Sequence, residues 1–479
     1  MTPPTLAPGS SMDSDGPSPK HGHPRPSSPL HLIARVLLIA TICLAPWAFG
    51  AVQTWAWGTL IVMSLVIFAL WAMGCAHRGV LEICWSPLTW PFLALLAIAL
   101  VQLWAGLSTD PVATREAVLK LVANLLFFFL AGQLFNGQPQ NRKALNHFGL
   151  VVTLLAIALA GFALAQWSLN KDPGMIYWTY RPHGAPFGPY VNHNNYSGLM
   201  EMLLPIAAAY LLSRLWHFGM VLVLWGGVGL AIISVWVGGS KAGAVVLVVE
   251  GLLWVGILVS QQPRGVAPKY LAALGGVALI SAVAFSWLVA TGRARGQAWS
   301  VFSSSNPLEV SLRDRLRVGW DTLQMTRKHP LTGIGAGCFE SVYPNYLGFP
   351  SELHWTHAHN DLLEGVAETG LPGLVLLAVS FVLFLRLAFR QVKVRLRHGS
   401  GWVQMGAAVA VIGFLVHSLV DFNLRIPANA AWFVVCLAVA THYRVNLAPE
   451  PELEVEPEPE TEQETAWEPT ANQTSAYLT

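Results

Sequence analysis

Twelve apolar blocks, most of them about 20 residues long, limit what this chain can fold into, because about 20 apolar residues in a helix match the hydrocarbon thickness of a bilayer. The blocks run 32–50, 54–74, 88–107, 116–135, 145–168, 197–215, 220–237, 243–260, 270–290, 369–389, 403–420 and 428–442. Of the 479 residues, 54% are hydrophobic and 11% charged, where a soluble domain has about 25% charged. One soluble core cannot hide that much apolar surface. Lipid offers no partner to backbone polar groups, so the blocks predict helices and not open strands. The expected fold class is all-α: a polytopic membrane protein of about twelve transmembrane helices.

Lysine and arginine in short loops set the orientation. With the N-terminus inside, the inner face receives fifteen basic residues, among them the cluster Arg386, Arg390, Lys393, Arg395 and Arg397; the short outer segments receive six. Both termini are therefore expected in the cytoplasm. Segments 170–196, 238–241 and 421–425 then share the outer face with one long polar loop, 291–368, between the ninth and tenth helices. A loop of that length is usually functional or disordered; its aromatics, Gly-Pro turns and amphipathic stretch 312–325 predict order. Residues 1–30 are rich in Pro, Ser and Gly, and 446–479 form a Pro/Glu-rich acidic tail; both read as disordered cytoplasmic segments. The membrane domain is expected over 31–445, with 291–368 as its catalytic loop.

The net charge of +2, with no basic patch interleaved with aromatics, excludes nucleic acid as a partner. The five cysteines, Cys43, Cys75, Cys84, Cys338 and Cys436, form no CxxC or Cys/His spacing and read as small buried hydrophobes. No P-loop, GxGxxG or GxSxG motif is present, so a nucleotide-driven pump is disfavoured.

Ionisable residues beside a membrane segment are costly and point to function. The densest group is HWTHAHNDLLEGVAETGLP, from His354 to Pro372. His357 and His359 suit proton transfer or phosphate binding near neutral pH; a zinc site with His354 is the weaker reading, since HExxH is absent. Glu364 and Glu368, four apart, fit the start of the following helix. In SLRDRLRVGW, Arg313 and Arg317 share a helix face and Arg315 splays away. Guanidinium pairs match diphosphate oxygens, though a basic helix resting on lipid headgroups reads equally well. Lys241 opens an apolar run, where it opposes the helix dipole unless an anion sits nearby; snorkelling to headgroups is the alternative. In RPHGAPFGPYVNHNNYSG, Arg181, His183, His193 and Asn195 suit sugar or phosphate binding, or simply turns and caps, with Asn195 or Ser197 as the expected cap of the next helix.

HAHNDLLEGVAETGLPGL resembles the signature of the O-antigen ligase-like membrane glycosyltransferases. So do GPYVNHNNYSGLMEMLLP, GGSKAGAV, RVGWDTLQMTRKHPLTGIGAGCF and HSLVDFNLRIPANA. That family includes lipid A-core ligases, O-antigen or exopolysaccharide polymerases and protein O-oligosaccharyltransferases. The resemblance implies a twelve-helix fold in the bacterial inner membrane and a metal-independent, inverting glycosyltransferase without cofactors. A glycan on undecaprenyl diphosphate passes at the periplasmic face to the hydroxyl of a glycan, lipid A-core or protein acceptor. It places His359, followed by Asn360, at the catalytic position. Lys241 stands where the family commonly has arginine; Arg315 and Arg317 both fit the arginine ahead of Trp320, at an unusual spacing, with Arg181 a looser match. Arg313 joins them as a diphosphate candidate, and His357, His193 and Asn195 as acceptor or glycan candidates. The alternatives are a polytopic lipid or glycan transporter, ranked lower because charges are expected only at helix ends, and a non-catalytic envelope-assembly protein.

Overall fold

The computed structural model describes residues 28–442, apart from 82, 136–140, 171, 173, 183, 215–217, 261–266, 291–309, 352 and 391. His183, residues 1–27 of the expected N-terminal segment and the expected acidic tail lie outside the described residues.

Each apolar block is helical. The helices are α1 (Pro29–Leu44), α2 (Thr54–Arg78), α3 (Thr89–Trp104), α4 (Pro111–Leu134), α5 (Arg142–Leu169), α6 (His193–Leu212), α7 (Phe218–Gly238), α8 (Lys241–Ser260) and α9 (Ala267–Ala290). An amphipathic helix, α10 (Leu312–Lys328), precedes α11 (Asp361–Ala388), α12 (Gly399–His417) and α13 (Pro427–Thr441). Among the described residues, seven helices are long and apolar enough to cross a membrane: α1 with the turn that extends it to Trp47, α2, α4, α5, α8, α11 and α12. Shorter apolar runs lie in α3, α7, α9 and α13.

The centre is α6, α12 and α13, each buried along nearly its whole length. Small residues let their backbones approach: a Cβ on Gly406 of α12 would stand 2.7 Å from Pro205 O of α6. Trp432 of α13 donates its indole N–H to Ile42 O of α1 at 2.7 Å. The surrounding helices turn residues such as Val62, Leu252 and Val375 outward, the reverse of a soluble surface. Two acids break the expectation that charges stay at helix ends: Glu250 lies midway along α8 and Glu201 inside α6, both buried. Glu201 is bonded to His417 Nδ1 at 2.8 and 3.0 Å.

One end of the bundle gathers the polar connections. Asn192 caps α6 through Asn194 N (2.8 Å), three residues earlier than expected at Asn195, because Asn192 is already extended and its carboxamide reaches the free amide. A Cβ on Gly243 of α8 would meet Ser197 of α6 at 2.8 Å. Asn429 of α13 donates to Asn195 O at 2.9 Å. Thr109, ahead of α4, donates its N–H to Ile334 O at 3.1 Å.

The tenth apolar block was expected to begin at 369, yet α11 begins at Asp361. Its first turns carry Asp361, Glu364 and Glu368, which a hydropathy pattern excludes but the helix dipole favours. The helix then kinks at Gly370, whose φ of 71° and ψ of −168° suit glycine alone. Leu371 N bonds instead to Pro330 O (2.7 Å), and Pro372 has no N–H. The carbonyls of Ala367 and Glu368 are thereby released, and they accept Ile334 N (3.0 Å) and Gly335 N (3.2 Å). Gln102 of α3 donates to both Thr332 O and Glu368 O at 2.7 Å. This docking ties residues 330–335 to α11, and the described part of the loop has its own apolar cluster around Val318, Met325, Phe339, Tyr343 and Trp355. Gly333 sits at φ 63°, and a Cβ there would lie 2.2 Å from Glu368 O. Gly333→Ala is expected to cost roughly 3 kcal/mol, read as a lower melting temperature by circular dichroism in detergent.

Candidate active site

The turn between α12 and α13 is the hub of the polar end. Asp361 N bonds to Ser418 O (2.9 Å) and Asp421 O (3.2 Å). Asn360 caps α11 by accepting Leu363 N (2.9 Å) and donates its own amide to Leu419 O (2.7 Å). The start of α11 is thus sewn to the end of α12, and the residue just before the cap, His359, is held at φ 50°. A non-glycine residue in that region is a sign of an enforced local geometry.

His359 Nδ1 lies 3.4 Å from Asp421 Oδ1, within ion-pair reach but off hydrogen-bond alignment. Arg315 of α10 reaches the other oxygen, Oδ2, at 3.3 Å and donates to Val420 O. Asp421 is fully buried, while the His359 and Arg315 side chains are 11% and 18% exposed, so the latter two form the open side of the cluster. Burial alone would raise the Asp421 carboxyl; His359 and Arg315 outweigh it and hold it well below the usual carboxylate range. An ionised Asp421 places the imidazole proton on Nδ1 and leaves Nε2 as the nitrogen available to a ligand.

A carboxyl depressed on folding contributes stability that is complete above its unfolded pKa, near pH 4, and is lost as pH falls further. Acid unfolding of the wild type is expected to steepen below about pH 4. Asp421→Asn should flatten that limb in melts recorded from pH 7 to 3.

Phe422 separates this cluster from a second one. His359 meets Phe422 edge-on at 4.9 Å, and His357 stacks on it at 4.5 Å. His357 Nδ1 contacts Glu364 Oε1 at 2.9 Å, and Ala358 N donates to Glu364 Oε2 at 2.7 Å. Arg425 pairs with Glu364 (3.1 Å) and Glu368 (2.8 Å), with Asp361 at 4.0 Å. Burial works against the Arg425 charge, but Glu364 and Glu368 more than restore it and keep the guanidinium firmly protonated.

Of the residues singled out from sequence, Arg315, His359, Asn360 and His357 meet at this turn. Asn195 reaches it from α6, through Asn423 Oδ1 at 3.1 Å, and is buried. His193 is buried beside it, with Nδ1 3.2 Å from Ala185 O. Arg317 pairs with Asp314 at 3.4 Å and lies over Phe349, and Arg313 is exposed. Arg181 pairs with Asp172. Lys241 is exposed at the first residue of α8, on the helix end that packs on Ser197. The three histidines diverge: His354 contacts Glu340 (2.8 Å), His357 Glu364 and His359 Asp421. Sequence reasoning did not single out Asp421, Phe422 or Arg425 as site residues. The available signal was an acid and an arginine inside a five-residue turn between two apolar blocks.

This is an all-helical, multi-pass membrane protein with an imidazole–carboxylate–guanidinium cluster at one end. Residues 226–378 match the family model described as O-antigen ligase, which supports the O-antigen ligase-like family for this chain. No curated protein matches it. The match takes in part of α7, all of α8, α9 and α10, and α11 as far as residue 378, and so includes Lys241, Arg315 and His359. It supports glycan transfer of the O-antigen ligase or polymerase type, with a lipid-linked glycan donor and an acceptor as the general partners.

Proposed function

We propose that the chain transfers or polymerises a glycan from undecaprenyl diphosphate onto an acceptor hydroxyl at the periplasmic face of the bacterial inner membrane. The observation that carries this reading is the meeting of Arg315 and His359 on Asp421. The acceptor hydroxyl gives its proton to His359 Nε2, and its oxygen attacks the anomeric carbon. The bond from that carbon to the diphosphate oxygen breaks on the opposite face, so the anomeric configuration inverts. Arg315 and Lys241 oppose the charge that develops on the departing diphosphate. Arg317, Arg313 and Arg181 are further cations for the carrier. His357, His193 and Asn195 belong to the acceptor side, the last two by shaping the turn. The chemistry draws on the donor's own sugar–phosphate bond and needs no metal. All twelve apolar helices cross the membrane in this reading, with both termini cytoplasmic.

The test is transfer of a labelled glycan in proteoliposomes, with and without EDTA. Loss of transfer on chelation counts against the metal-free step. Reporter fusions within 310–351 that report a cytosolic position count against the topology.

One observation favours a second reading, a transporter. Glu201, His417 and Glu250 are ionisable groups buried inside apolar helices, as transport pathways require. Substrate movement that collapses with the electrochemical gradient in vesicles would favour it; gradient-independent transfer favours the enzyme.

A further inference from the structure

Among the described non-glycine residues, five hold a positive φ. One is His359. The other four are Phe49 (58°), Ala51 (59°), Tyr177 (54°) and Trp178 (60°). They lie in two turns that pack on each other, one after α1 and one after α5. In the second turn Ile176 and Tyr180 form an antiparallel pair, with N···O distances of 2.7 and 3.0 Å. Thr179 N bonds to Ile176 O at 3.2 Å, and both residues between them have positive φ. Those are the marks of a type I′ turn, whose two central places ordinarily go to Asn-Gly. Here they hold Tyr177 and Trp178. Large side chains persist in that conformation only where their surroundings fix it. Ile176 is fully buried, Tyr177 N bonds to Gln166 Oε1 at 2.8 Å, and the Tyr177 hydroxyl donates to Trp47 O.

The strained turn displays rings. Phe49 supports Tyr177 and Tyr180, with centroids 5.6 and 5.0 Å away. Phe162 of α5 supports Tyr177 at 5.3 Å and Trp178 at 5.9 Å. On this bed Trp178 and Tyr180 stand 44% and 40% exposed, and the Asp172–Arg181 pair closes the same turn. Gly50, beside Phe49, is pressed on Tyr190 and Ile426: a Cβ there would lie 2.7 and 3.1 Å from them. Ile426 follows Arg425, so the aromatic bed abuts the turn that carries Asp421.

We propose that Trp178 and Tyr180 form a sugar-binding subsite, which holds a pyranose ring of the glycan at a distance from the reacting carbon. The C–H groups on one face of a pyranose pack on the electron-rich face of an aromatic ring. A carboxylate and a guanidinium on the same turn supply an acceptor and donors for the sugar's hydroxyls. Exposed Trp and Tyr also anchor proteins at the lipid interface, but that use needs no special backbone. Trp55 at the start of α2 and Trp104 at the end of α3 already offer it, 63% and 93% exposed. The inference rests on the glycan-transfer reading and adds to it a place where the chain of sugars is gripped.

The test is binding of free oligosaccharide, released by mild acid from the lipid-linked glycan of the source cells, to the full chain in nanodiscs. Trp178→Gly is expected to weaken binding about tenfold, the loss of one ring contact. It should melt no lower than the wild type, because glycine suits the left-handed position. Trp178→Phe keeps a ring and should bind between the two, and Trp104→Ala should bind as the wild type. Unaltered affinity in Trp178→Gly, or weaker binding accompanied by a lower melting temperature, overturns the proposal. So does quenching of a fluorophore on Trp178→Cys by phospholipids brominated in their acyl chains, which would place the tip in the bilayer. Steady-state transfer in proteoliposomes identifies the bound sugar: a raised KM for the lipid-linked donor assigns the subsite to the donor's glycan, and a raised KM for the acceptor to the acceptor's. Transfer without Trp178-dependent binding refutes the subsite alone. Trp178-dependent binding without transfer refutes the underlying function and leaves the subsite standing.

Discussion

His359→Ala is expected to lower glycan transfer by about 10²–10⁴-fold, the usual contribution of a positioned general base, while the protein folds and inserts normally. The reason is local. His359 sits one residue outside the cap of α11, and the hydrogen bonds that fix this corner come from Asn360 and the Asp361 amide, not from the imidazole. Removing the ring therefore removes the nitrogen opposed to Asp421 and leaves the corner standing. His359→Gln restores size and polarity but no titrating nitrogen, so it should rescue little. Donor binding separates the two histidine roles: an unchanged donor KM with lost kcat identifies the base, whereas a raised donor KM identifies a diphosphate ligand.

Arg425→Met is expected to produce the largest loss of stability, about 3–5 kcal/mol, the cost of removing one partner from a buried ionic group. Among the described residues, Arg425 is the one guanidinium paired with Glu364, Glu368 and Asp361, whose carboxyls are 1–4% exposed. Without it, three acids crowd the first turns of α11, with only His357 to oppose them. Arg425→Lys keeps the charge but cannot bridge Glu364 and Glu368 at once, so it should fall between. Adding Glu364→Gln to Arg425→Met should recover part of the loss. Melting in detergent, or denaturant titration in bicelles, measures the series. A wild-type-like melt for Arg425→Met would show that the acids are solvated and the cluster is not a structural unit.

The helices were legible because apolar runs of bilayer length have few other folds. The amphipathic stretch in the long loop was legible for the same kind of reason, since its periodicity survives as α10. What the pattern concealed is polar and distant. The start of α11 looked like loop because its first turns carry acids. The kink at Gly370 depends on amides supplied by residues 330–335. Arg315 and Asp421 are 106 positions apart, and Gln102 and Glu368 are 266 apart. No local spacing predicts such pairs. His359 stood out by motif, yet its partner Asp421 was visible only as a charge on the outer side of a short turn. Glu201 and Glu250 were overlooked for the opposite reason: single acids barely lower the mean hydropathy of a long apolar block.

The most direct measurement is the anomeric product formed by sealed proteoliposomes supplied with undecaprenyl-diphosphate-linked glycan, comparing wild type with Arg315→Ala. Wild type should yield inverted product with stoichiometric release of undecaprenyl diphosphate in the absence of any nucleotide or metal, and Arg315→Ala should slow that release severely. Retained configuration, or full activity without the guanidinium at Asp421, would contradict a one-step displacement driven from this cluster.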